Sequence, residues 1–130
     1  MALRFTNPST LPQSVGYTQV VEATGARTIY ISGQVALDTS GNLVGAGDMR
    51  AQAQQVFANL KAALEAAGAS FDDVAKLTFF VLDIAQLPAV REARDQYVNV
   101  QQPPASTAVE VRRLAREDFL IEVEAIAVIA

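Results

Sequence analysis

The sequence predicts an α+β domain, residues 1–130, in which two helices cover one face of a single mixed β-sheet. Two observations carry this. Apolar residues recur at three- and four-residue steps over 48–67 and 85–100, the helical period, and β-rich runs surround those stretches in the order β-β-α-β-α-β-β. Strands such as "TIYISGQV" and "AIAVI" are apolar or small on both sides of the pleat. With both helices on one face, the other face stays apolar and open, the pattern of a surface that another subunit buries.

The first β-rich runs, "YTQVVEA" and "TIYISGQV", flank Thr24-Gly25-Ala26-Arg27, a turn signal that predicts a hairpin. A further turn surrounds Ser40-Gly41-Asn42. In the first helix Met49, Ala53, Val56, Phe57, Leu60, Leu64 and Ala67 form one stripe, with Asp48 as N-cap and Gly68 as the terminating glycine. "FDD" (71–73) is a helix-to-strand turn, and "VAKLTFFVLD" is apolar enough for a central strand. The second helix runs from 85 to 100, tolerates Pro88 in its first turn, and buries Val90, Ala93, Tyr97 and Val100. "STAVEVRRL" and "LIEVEAIAVI" are strands joined through "AREDF".

Composition restricts the chemistry. Half the residues are hydrophobic, and there is neither cysteine nor histidine. That removes disulfides, thiolate chemistry, the usual zinc ligands and the usual base for a serine nucleophile. A Ser–Lys dyad would have to use Lys61 or Lys76, both in periodic elements that solvation explains. No metal or cofactor is expected. The net charge of −4 argues against nucleic acid, since phosphate binding relies on clustered Lys and Arg, and acids flank "VRRLAR" on both sides. No apolar run approaches the roughly 20 residues of a membrane helix, and the N-terminus lacks a signal-peptide pattern, so a cytoplasmic protein is expected.

Three stretches, "GYTQVVEATGARTIYISGQV", "QVFANLKAALEAAGASFDDVAKLTFFVLD" and "PPASTAVEVRRL…IEVEAIAV", resemble in order and spacing the Rid/YjgF family of reactive-intermediate deaminases. The resemblance spans nearly the whole chain. It implies a chorismate-mutase-like subunit, a homotrimer with ligand clefts between subunits, and hydrolysis of small enamines and imines without a cofactor.

On that resemblance, Tyr17 matches the tyrosine of a "GPYSQ"-like motif, and Ser32 and Gly33 match an "SGQ" hairpin whose backbone meets the ligand. Glu122 matches the first Glu of "IEIEA", implied to position or activate water. The loop "PPASTAVEV" departs from the family's "PARSxVEV". Ser106 stands where the family has an arginine that grips the substrate carboxylate, Thr107 follows it, and Ala108 replaces a usual cysteine. A charge-assisted Arg–carboxylate contact contributes roughly 1.5–3 kcal/mol against about 1 for a neutral hydroxyl, so the change weakens 2-imino-acid binding about tenfold. Arg112 and Arg113 lie roughly 20 Å farther along the strand and cannot substitute within the same subunit.

Each residue also has a simpler reading. Tyr17 serves as an interface aromatic, Glu122 as a partner for backbone or an interface arginine, Gly33 as a β-bulge, and Ser106 and Thr107 as hydroxyl caps of the loop. Three functions follow. They are a Rid-type hydrolase with weak or absent 2-imino-acid activity, a non-catalytic trimer that binds a small metabolite, and a ribonuclease or translation inhibitor, which the charge and the lack of histidine disfavour.

Overall fold

A computed structural model describes residues 2–130. Its strands are β1 (Leu3–Thr6), β2 (Val20–Ala23), β3 (Arg27–Gln34), β4 (Val74–Val81), β5 (Ala105–Glu110) and β6 (Ile121–Ile129). The helices are α1 (Met49–Ala66) and α2 (Leu87–Arg94), and short 3-10 turns at Phe71–Asp73 and Ile84–Gln86 lead into β4 and α2. Four strands form one mixed sheet in the order β3-β6-β4-β5, with β4 and β5 parallel and the other pairs antiparallel. The expected α+β class with two helices on a mixed sheet is borne out.

The α1 boundaries follow their signals. The Asp48 carboxylate accepts the Ala51 N–H, and the chain leaves through Gly68 at φ +77°. Val56, Phe57, Leu60 and Leu64 are fully buried against Leu77, Ile121 and Val123 of the sheet. Phe57 lies 6.1 Å from Phe71, 6.1 Å from Phe79 and 5.7 Å from Tyr97, ring centre to ring centre, so one aromatic cluster joins α1, β4 and the segment after α2.

One buried polar residue ties the N-terminal turn of α1 to the segment that leads into β6. The Gln52 amide donates to the carbonyls of Gly45 (3.0 Å) and Asp118 (2.9 Å) and accepts the Leu120 N–H (2.9 Å). Three backbone groups just before β6 and α1 are thereby satisfied without water.

Several expectations need correction. The hairpin across Thr24–Arg27 does not form: β2 pairs antiparallel with β1, and β3 pairs with β6. The turn's own donors explain this. Thr24 N–H goes to Ala2 and Ala26 N–H to Ile129, so the two sides of the turn join different sheets. The β1 strand was not expected at all. Helix α2 spans 87–94 rather than 85–100, which leaves Tyr97 half-buried beyond its end and Val100 exposed. The β5 strand stops at Glu110, and 111–120 form a turn in which the Arg116 guanidinium stacks 4.8 Å from the Phe119 ring centre.

Candidate functional site

Strand alternation decides which of the expected site residues can meet. In the β4–β5 ladder Ser106 stands opposite Leu77 and Ala108 opposite Phe79, both buried on the helix side. Thr107 stands opposite Thr78, which is paired with Glu124 on the uncovered side. Adjacent residues Ser106 and Thr107 therefore serve opposite faces of the sheet.

On the helix side, Ser106 lines a cavity of about 150 Å³ together with Tyr17, Phe79, Val90, Arg91 and Arg94. Tyr17 reaches it because the next residue is pinned to the proline loop before β5. Buried Thr18 donates its N–H to the Pro104 carbonyl (3.2 Å) and its hydroxyl to the Pro103 carbonyl. The stiff Pro103-Pro104 pair thus sets Tyr17 and Ser106 in one place, although 89 residues of sequence separate them (106 − 17).

The cations of this cavity come from α2. Leu87, Val90, Arg91 and Arg94 have the spacing i, i+3, i+4, i+7 and share one helix face. Arg94 is buried and donates from Nε (2.9 Å) and Nη2 (2.8 Å) to Asp95. Its guanidinium also fills the space beside Gly16, where a Cβ would come within 3.1 Å of Nη2. Gly16 has φ +79°, a conformation that favours glycine at the turn that presents Tyr17, and an added Cβ there would press on the Arg94 guanidinium.

Gly33 and Glu122 come together elsewhere. The β3–β6 register shifts between Ile31 and Gln34, so Ser32 and Gly33 form a bulge, as the simpler reading expected. The half-buried Glu122 side chain packs against that bulge, and a Cβ on Gly33 would lie 2.6 Å from the carboxylate carbon. Glu122 pairs with Phe80 in the ladder, on the uncovered face that also carries Thr107. Ser32 is exposed.

The hydroxyls do not cap the loop. Thr107 Oγ1 instead accepts from Lys76 Nζ at 2.6 Å. That contact directs Lys76 to the face opposite Ser106, and no Ser106–Lys76 dyad forms. Within one chain, then, Tyr17 and Ser106 form one cluster and Gly33, Glu122 and Thr107 occupy the other face.

Arg91 and Arg94 are not among the site residues expected from the sequence. A signal for Arg94 was present: it falls four residues after Val90, on the same stripe as the apolar positions. Assigning the buried side to apolar residues alone hid it.

A family model described as Endoribonuclease L-PSP matches residues 8–129. A RutC family protein of Pyrococcus horikoshii is 39% identical over 117 residues, which cover 89% of this chain and 90% of that protein. A mouse protein named 2-iminobutanoate/2-iminopropanoate deaminase is 39% identical over 118 residues, covering 90% of this chain and 84% of its own. The crystal structure of a Rid-family protein of unknown function from Yersinia pestis superposes with a TM-score of 0.91 at 39% identity, over 99% of this chain and 100% of that one. With matches of this extent, in sequence and in fold, the chain belongs to the Rid/YjgF family.

Proposed function

We propose that this chain is a Rid-type hydrolase of a small imine or enamine, with weak or absent activity on short 2-imino acids. The observation that carries the reading is the Glu122 carboxylate packed against the Gly33 bulge. A carboxylate beside a bulge, where the ladder's backbone groups are locally unpaired, can hold water next to an electrophilic carbon. In the proposed reaction that water adds to the C=N carbon. Glu122 takes the water proton and passes it to nitrogen, and the carbinolamine collapses to a carbonyl compound and ammonia.

The reading takes the protein as a cytoplasmic homotrimer that binds neither nucleic acid nor membrane. Two observations support parts of this: a net charge of −4, and no helix among the described residues long and apolar enough to cross a membrane. A second subunit is needed because Tyr17 and Ser106 lie on the opposite side of the sheet from Glu122. In a trimer one subunit's Tyr17–Ser106 cluster would face its neighbour's Gly33 and Glu122. Ser106 in place of a cation is the reason to expect weak handling of short 2-imino acids.

The test is turnover. An amino-acid oxidase generates 2-imino acids in situ, the branched and aromatic ones as well as the short ones, while keto-acid appearance is timed with the wild-type protein and with Glu122→Gln. Loss of acceleration in the variant supports the hydrolase. A wild-type protein that accelerates nothing leaves the alternative that Ser106 itself favours, a trimer that binds a small metabolite without transforming it.

A further inference from the structure

The cavity holding Ser106 contains one cation whose charge no other described residue neutralises. Asp95 lies four residues after Arg91, the position from which a helix acid ordinarily pairs with it. Here Asp95 is occupied by Arg94, through two contacts of 2.8–2.9 Å. The adjacent acid Glu92 is paired with Arg50 of α1. Among the described residues Arg91 has no side-chain hydrogen bond or salt bridge, and it lines the cavity beside the Ser106 hydroxyl, which likewise has no partner. The remaining walls include Phe79, Leu87, Val90 and Ala108.

A fork-shaped cation and a free hydroxyl above apolar walls fit a carboxylate attached to a hydrocarbon group. A closed apolar cavity of about 150 Å³ takes a molecule the size of benzene, and this one has a comparable volume. We propose that Arg91, on α2, is the residue that binds the substrate's carboxylate in this protein, and that the cavity selects branched or aromatic side chains over short ones. Arg94 is a positioning residue: it holds Asp95 away from Arg91 and supports the Gly16 turn that presents Tyr17. The inference deepens the hydrolase reading and rests on it only for the word substrate. It also accounts for Ser106, since a cation from the helix makes one from the β5 loop unnecessary.

The test is calorimetric, on the full-length protein, with the stable carbonyl compounds 4-methyl-2-oxopentanoate and pyruvate as probes. The wild type should bind the branched acid at least about fivefold more tightly than pyruvate. Arg91→Gln should weaken the branched acid about tenfold or more, the loss expected of a charge-assisted hydrogen bond. Arg91→Lys should recover part of that loss, and Lys61→Gln, on the outer side of α1, should change nothing. Circular dichroism on each variant establishes that it is folded, which the exposure of Arg91 favours. Undiminished binding by Arg91→Gln overturns the inference, as does a wild type that binds neither acid or prefers pyruvate. Because these probes are not hydrolysed, Arg91-dependent binding without turnover would leave this inference standing while removing the hydrolase, and turnover that ignores Arg91 would do the reverse.

Discussion

The carboxyl group of Glu122 occupies the space in front of the Gly33 Cα, where any other residue would carry its Cβ. Gly33 lies outside the left-handed region, so the requirement for glycine there is steric and comes from across the strand pair. Gly33→Ala should therefore displace Glu122. Overpacking of this kind costs roughly 1–3 kcal/mol. Chemical denaturation at fixed protein concentration should show that loss, and adding Glu122→Ala should recover most of it. A double variant no more stable than Gly33→Ala would place the strain elsewhere.

Ser106 and Arg91 line the same cavity, and their effects should not add. Ser106→Arg puts a guanidinium beside two others in the wild type, so its gain in 2-oxo-acid affinity should be small, about threefold or less. In an Arg91→Gln background the same change should restore about tenfold. Titration of the four proteins with 4-methyl-2-oxopentanoate gives the coupling directly, and equal gains in both backgrounds would mean that the two side chains do not serve one ligand group.

Gln52→Leu keeps volume but leaves the Gly45 and Asp118 carbonyls and the Leu120 N–H without their partner. Each unsatisfied buried group costs about 1–3 kcal/mol. A loss of roughly 2–4 kcal/mol is expected, since one or two of these groups can turn to water. Urea unfolding would measure it, and a neutral result would show that water replaces the amide entirely.

Light scattering should report about three times the 13.9 kDa chain mass at micromolar concentration. The uncovered sheet face supports this, carrying Tyr30 at 77% exposure and Val109 at 39% beside half-buried Phe80 and Ile126. Tyr30→Glu should shift the population toward smaller species. A stable wild-type monomer would remove the basis for any site shared between subunits.

The Arg116 hydrogen bond holds the Asp118 carboxyl below the usual carboxylate range. A depressed folded-state pKa means stability that is present above the unfolded value and lost as pH falls through the folded one. Arg116→Gln should move the Asp118 titration, followed by carboxyl-detected NMR, back up toward the ordinary range. The effect on stability at neutral pH should be small, because this pair is solvent-exposed.

Local signals in the sequence were sufficient where one element decides its own structure. The Asp48 cap, the α1 stripe and the apolar β4 run each needed only neighbours within a few residues. Strand partnership was not legible in the same way. The turn at Thr24–Arg27 has hairpin composition, yet its two flanks are claimed by strands at opposite ends of the chain. Placing Tyr17 and Ser106 in one cavity depends on Thr18 bonding the Pro104 carbonyl through its N–H and the Pro103 carbonyl through its hydroxyl, a pairing across the chain that local sequence does not advertise. The opposite orientation of Ser106 and Thr107 was implicit in strand alternation, but only the ladder to Leu77 and Thr78 says which one meets the helices.

The sheet order has a consequence for how the chain is made. β6, the last strand in chain order, lies between β3 and β4, and Arg27 pairs with Ile129. A ribosome releases β3, α1, β4 and α2 well before it finishes the strand that joins them, and until then β3 has no neighbour in the sheet. Such long-range pairing slows folding and leaves strand edges open meanwhile. Synthesis stalled or cut anywhere before Ile121 would leave β3 and β4 as unjoined edges. Such truncated chains should accumulate as chaperone clients or aggregates, whereas loss of β1 at the other end would leave the four-stranded sheet its full complement of strands.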